Sequence, residues 1–191
     1  MAGTVRVDAR RNHDLLLAAA REAFAAHGTD ASLRDIARQA GVGIGTLYRH
    51  FPTREALLEA LLRSRFDALR DRAGELSAAA APGEALLEWL SELAAGSVTY
   101  RGLPESVMAA LRDEQSQLHA SCAGMRAAGG RLLERAQEAG EVRGDVTAAQ
   151  LLALAAGLAW AGEQSADPQD MVRNLLSIAA HGLTRTAAAA T

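Results

Sequence analysis

Three features of the sequence predict an all-α protein. Ala, Leu, Arg and Glu, all strong helix formers, dominate the 191 residues. Aromatic residues make up only 4%, too few to fill the sheets of a sandwich or barrel. Apolar residues recur at helical spacing, and each of the four prolines (Pro52, Pro82, Pro104, Pro168) falls at or just before a helix start, where a missing N–H costs least.

Residues 1–11 carry Arg6, Arg10 and Arg11 without an apolar pattern and are expected as a flexible arm. From about Asn12, the positions Leu16, Ala20, Ala23 and Phe24 share one helical face, and Gly28 closes that helix. Ser32 to Asp35 reads as a capping box with Asp in place of Glu. The hydroxyl satisfies a free N–H of the first turn while the carboxylate reaches back. Leu33, Ile36, Ala37 and Ala40 form the stripe behind it, and Gly41-Val42-Gly43 ends the helix. The segment Ile44 to Phe51 offers Leu47 and Phe51 as its buried face. Thr53 then caps a longer helix through Leu57, Leu58, Leu61, Leu62, Phe66 and Leu69 to about Leu76. After a small-residue linker from Ser77 to Pro82, helices are expected near 82–100, 104–112, 116–139, 147–163 and 168–186, with a frayed tail at 187–191. Two domains follow, 12–76 and 82–186.

Composition narrows the function. With 49% apolar and 23% charged residues, a globular core is expected and disorder is not. A single cysteine, Cys122, makes no internal disulfide and favours a reducing compartment. No apolar run reaches the length of a membrane span and no signal-peptide core opens the chain, so the cytoplasm is expected. All 20 basic residues are arginine, and the net charge is −3. Residues 1–54 hold eight arginines against five acids, whereas residues 77–191 hold eight against thirteen. Such asymmetry suits a head that meets an anion and a body that does not.

The strongest chemical signal lies in residues 32–51. Two short helices joined by a glycine turn form a steeply crossed pair, with Ala37 small enough for close approach and Gly41 free to turn left-handed. With Leu47 and Phe51 inward, the second helix presents Thr46, Tyr48, Arg49 and His50 outward. A short helix with one polar face fits the DNA major groove. The run Ser32-Leu-Arg-Asp-Ile-Ala-Arg-Gln-Ala-Gly-Val-Gly-Ile-Gly-Thr-Leu-Tyr-Arg-His-Phe-Pro-Thr-Arg-Glu-Ala-Leu-Leu58 strongly resembles the tetracycline-repressor (TetR) family of transcriptional regulators. The resemblance is close over roughly residues 12–70 and beyond that covers only helix number and length. It implies a three-helix head containing the helix–turn–helix, followed by a helical ligand-binding and dimerisation domain. It also implies phosphate contacts from Tyr48 and His50, and base-edge contacts from Ile44, Gly45, Thr46 and Arg49. Arg54 would clamp a phosphate beside the next helix, and Ser32 and Arg34 complete the expected DNA-binding set. Gly43 stands where the family often has a Ser or Thr cap, so that helix is expected to start loosely. Arg10 and Arg11 would reach the backbone or minor groove, or remain a solvated tail.

In the body, Thr147 to Gly162 is apolar nearly all round, which calls for a partner on its second side. The resemblance implies that the last two helices pair with their mates in a homodimer, through Leu151, Ala155, Leu158, Ala159, Gly162, Leu175, Ile178 and Leu183. Trp89, Leu93, Tyr100, Met108, Leu111, His119, Cys122 and Met125 are the candidates for a small-molecule cavity, being mainly apolar with a few polar groups. His119 and Cys122 sit at i, i+3, but no second pair stands at ligand spacing, so no metal or cofactor is expected. No phosphate-binding loop, nucleophile elbow or HExxH helix is present, and an enzyme is not expected. The expected function is a DNA-binding repressor released from a palindromic operator by a small molecule. A DNA-binding dimer without such a ligand, or remotely a small helical enzyme, are the alternatives.

Overall fold

The computed structural model describes residues 2–97 and 103–183. Among the described residues there are nine α-helices and no strand, as the composition predicts. They are α1 (Ala2–His27), α2 (Leu33–Gln39), α3 (Ile44–His50), α4 (Arg54–Leu76), α5 (Pro82–Ser97), α6 (Glu105–Arg112), α7 (Gln117–Glu138), α8 (Ala148–Glu163) and α9 (Pro168–Leu183). A 3-10 turn, Gly28–Asp30, follows α1. No helix among the described residues is long and apolar enough to cross a membrane.

Local chemistry sets the boundaries. Gly41, at φ +69°, stops α2: its N–H donates to the Arg38 carbonyl at 3.1 Å, and the Val42 N–H to the Ala37 carbonyl at 3.0 Å. These are the paired bonds of a left-handed helix stop, and a Cβ at that φ would be strained. Thr53 Oγ1 accepts the Ala56 N–H at 3.1 Å and caps α4. Thr147 and Gln150 form a reciprocal capping box on α8. Pro82 and Pro168 open α5 and α9, where a fixed φ is preorganised.

Two local expectations are corrected. Residues 2–11 continue α1 instead of forming an arm. No Pro interrupts this stretch, so nothing in it stops a helix already nucleated by the buried face that begins at Leu16. Ser32 does cap α2, its Oγ accepting the Asp35 N–H at 3.3 Å. The carboxylate of Asp35, however, turns to Arg38 at 2.7 Å rather than back to the cap. Asp is one methylene shorter than the Glu of a capping box, and the i+3 guanidinium is within easier reach.

Contacts divide the chain into two compact units, Met1–Arg65 with Thr99–Ala120, and Phe66–Val98 with Ser121–Thr191. The boundary runs through α4 and through α7, and the linker 77–81 lies inside the second unit. In the first unit, Leu16, Ala20 and Phe24 of α1 are buried with Ile36 and Ala37 of α2, Leu47 of α3, Phe51, and Leu57, Leu58 and Leu61 of α4. The core of the second unit holds Leu69 and Ala73, Leu86, Trp89 and Leu90, Met125, Leu132 and Leu133, Leu151 and Ala155, and Val172 and Leu176. Trp89 is its hub. The buried indole Nε1 donates to the Leu69 carbonyl at 2.9 Å, and the six-membered ring lies against Gly129 so closely that a Cβ there would overlap it.

Candidate nucleic-acid interface

The site is built on α3, which the α2 stop delivers and two buried anchors fix. Leu47 is fully buried and Phe51, the cap residue that ends α3, nearly so. Each stabilises by about 1.5–3 kcal/mol through removal from water. With that face inward, Tyr48 is 48% and Ile44 37% exposed. Gly45 and Arg49 are exposed, while Thr46 and His50 are half-buried. The outward row therefore combines a phenol, a guanidinium, a hydroxyl and an aliphatic side chain, the donors, acceptors and methyl contacts that base edges require. Gly43 caps α3 without a side-chain bond, and a Cβ at Gly43 or Gly45 would meet nothing within 4 Å. The start of the helix is bare and open. Seven residues of helix span about 10 Å, short enough to sit within a major groove about 12 Å wide.

At the other end of α3 stands a cluster of three rings. His13 of α1 lies 5.2 Å from Phe51 and 6.1 Å from His50, edge-on to the latter, and His50 lies 6.2 Å from Phe51. Partial burial first, then the neighbouring His13 and Arg49, hold the His50 imidazolium below its ordinary range. His50 is therefore mainly neutral near neutral pH.

The other expected DNA-binding residues fall in two groups. Ser32 and Arg34 are exposed at the start of α2, Ser32 with its oxygen engaged as a cap. Arg54 differs from expectation. Its Nη1 donates to the carbonyls of Thr29 at 2.7 Å and Ala31 at 2.6 Å. The turn after α1 leaves backbone acceptors that a guanidinium at the start of α4 can reach, and this charge-assisted pair ties Nη1 to the turn while the side chain stays half-buried. Arg10 and Arg11 are exposed along α1.

The expected cavity residues fall on both sides of the division between the units. Tyr100 lies outside the described residues. Met108, Leu111 and His119 belong to the first unit; Trp89, Leu93, Cys122 and Met125 belong to the second. His119 Nδ1 donates to the Leu111 carbonyl at 2.9 Å, and Ser116 Oγ, which donates to the Ala110 carbonyl, accepts the His119 N–H at 2.9 Å. His119 thus ties α6 to the start of α7. In the second unit a cavity of about 10 Å³ lies beside Trp89, walled by Leu90, Gly129, Ala148 and Leu151 with Arg126 at its edge. That is room for about one water. Arg126 was not among the expected residues, since an exposed arginine on a helix carries no distinguishing pattern. His13 was missed for a similar reason: it pairs with α3 only once α1 is folded back.

The expected dimer residues separate by face. Leu151, Ala155 and Ala159 are buried within the chain, and a Cβ on Gly162 would meet Val172 of α9 and the Pro168 carbonyl. Gly162 therefore seats this chain's own α9, and Ala155 and Ala159 are covered within the chain, a correction to the stripe's assignment as the partner's seat. A helix apolar all round gives no periodicity to say which face turns inward. Leu158 and Leu175 are half-buried, and the side chain of Leu183 lies outside the described set. What α8 and α9 leave outward is Trp160, 66% exposed, with Met171 and Ile178, the last 70% exposed.

Comparison with known proteins agrees with this geometry. Residues 16–61 match the bacterial regulatory proteins of the tetR family, and residues 81–185 match the C-terminal domain of SbtR-like transcriptional regulators. A TetR transcriptional regulator of Streptomyces coelicolor, SCO0520, is 36% identical, with 92% of this chain and 99% of that one covered and a TM-score of 0.74. A TetR regulatory protein of Mycobacterium vanbaalenii is 34% identical, with 95% and 99% covered and a TM-score of 0.64. An uncharacterized HTH-type transcriptional regulator of Pseudomonas putida, TtgW, is 41% identical over 66 residues, 34% of this chain. The chain spans about half (49%) of the length of that curated relative.

Proposed function

The chain belongs to the TetR family of bacterial transcriptional regulators, and from that premise we propose that it is a repressor that reads a palindromic operator as a homodimer. Its family and the solved relatives above are regulators, not enzymes. One observation carries the reading: Ile44, Tyr48 and Arg49 stand outward on a helix whose opposite face is sealed by Leu47 and Phe51. Ile44, Gly45, Thr46 and Arg49 take base edges, while Tyr48 and His50 take phosphates. Two copies of α3 about 34 Å apart read successive groove faces of the palindrome. The exposed large apolar side chains Trp160, Met171 and Ile178 of the last two helices support a second copy as the partner, because apolar groups of this size gain from being covered. A cytoplasmic location accompanies a chromosomal target.

A small molecule binding in the body would release the operator by favouring a dimer with wrongly spaced recognition helices. In a second reading the body answers to no small molecule. Selection of bound duplexes from random DNA at physiological salt tests the first part; recovery of a palindrome supports it, and recovery of no preferred sequence overturns it. Thermal shift against a metabolite panel, with and without the recovered duplex, separates the two readings of the body.

A further inference from the structure

The ring cluster joining α1 to the end of α3 has a chemistry of its own. His13 and His50 come from different helices, lie 6.1 Å apart, and share Phe51 as a floor. Phe51 is buried, and both imidazoles are half-buried. Two imidazolium charges at that separation oppose one another, so a proton on one makes the second harder to add. The charged groups of this corner are few. Asp14 of α1 lies 3.4 Å from His13 Nδ1, and Arg49 of α3 adds a positive charge beside His50. On α2, Asp35 is held by Arg38. On α4, Arg54 is held by two carbonyls, and the neighbouring Glu55 is half-buried. His50 thus faces positive or titratable neighbours with no carboxylate bonded to it.

We propose that operator binding by this chain takes up a proton at His50, with His13 as the positioning residue that sets the pH range in which it does so. The proposal rests on the DNA-binding reading above, in which His50 meets a phosphate. In the free chain, burial, His13 and Arg49 keep His50 below its ordinary range. A phosphate within hydrogen-bond distance supplies the missing counter-charge and raises it. The bound state therefore holds more protons than the free state between the two values. By linkage, affinity is highest and flat below the free-state value, falls as pH rises through the window, and is flat again above the bound-state value. At the steepest point the fall approaches about tenfold per pH unit for each imidazole engaged.

Calorimetry with the duplex recovered by selection tests this, run at one pH in buffers of different ionisation enthalpy and repeated across pH 5 to 8. Net uptake approaching one proton per protomer is expected inside the window, and His50→Gln abolishes it. His13→Phe keeps a ring on Phe51 but removes the opposing charge, so the lower edge of the window moves up. His13→Lys fixes a charge there and moves that edge down. The His50 ring resonance of the free chain, titrated by NMR, moves in the same two directions. A His13 that only fills space would lower the melting temperature and leave the edge unmoved in both variants, which overturns its role. Wild-type chain that binds the duplex with no uptake at any pH overturns the proposal while leaving the DNA-binding reading standing. If selection recovers no duplex, the DNA-binding reading falls and takes the proposal with it.

Discussion

The α2–α3 pair and the α8–α9 pair are built alike and face the solvent differently. In each, small residues are buried along the pair: Ala37 and Ala40 in the first, Ala155, Ala159 and Gly162 in the second. In each, one side of the pair is sealed within its own unit. The first pair turns a phenol, a guanidinium and a hydroxyl outward; the second turns an indole and aliphatic side chains outward. Polar groups that keep their water until a polar partner arrives suit reversible contact with a charged polymer. Apolar groups gain from permanent cover. The same local construction therefore yields a polar surface suited to exchange in one place and an apolar surface suited to assembly in the other.

Removing an anchor from the first pair should break the comparison most severely. Phe51→Ala is expected to destabilise the head by about 3–5 kcal/mol, read as a lowered denaturant midpoint. A loss below 1 kcal/mol would mean that α3 is not fixed from beneath. Next comes Arg54→Ala, which removes two charge-assisted bonds to the turn after α1 and should cost about 1.5–3 kcal/mol of stability. If the guanidinium is internal, the salt dependence of DNA binding stays as it was; a slope lowered by about one unit would restore the phosphate clamp that the family resemblance implied. Arg49→Ala should spare the fold and cut discrimination between selected and scrambled duplex by about 1–3 kcal/mol. Equal preference in mutant and wild type would remove Arg49 from the base readers. The smallest effect on folding belongs to the second pair. Trp160→Glu and Ile178→Glu should each change helix content little, surface substitutions costing within about 0.5 kcal/mol. Sedimentation should nevertheless show single chains, and an intact dimer would place the assembly surface elsewhere.

The same contrast explains what could be read without coordinates. Helix limits were legible because caps and stops are local: Thr53, Gly41 and the prolines act within one turn. The α3 face was legible because Leu47 and Phe51 alternate with polar neighbours. On α8, where Ala, Leu and Gly run all round, the inward face depends on α9, and no pattern within α8 could choose it. Gly129 shows no local signal in α7, yet it is the seat of the Trp89 ring. The pairing of His13 with His50, and of Arg54 with the Thr29 and Ala31 carbonyls, arises only when segments 23 to 37 residues apart meet, and neither residue type announces its partner. The extension of α1 to Ala2 escaped because its residues 7–11 are exposed, and an exposed stretch shows no apolar periodicity.

The chain has two tryptophans, and they sit in opposite surroundings. Trp89 is sealed and donates its N–H to a backbone carbonyl, whereas Trp160 stands 66% in water. Intrinsic emission should therefore carry two separable signals, a blue component that shifts only when the core around α4, α5 and α7 is disturbed and a red component quenched freely by iodide until a second copy shields it. Replacing either indole with phenylalanine would leave a single-colour reporter of the other event, with no dye attached.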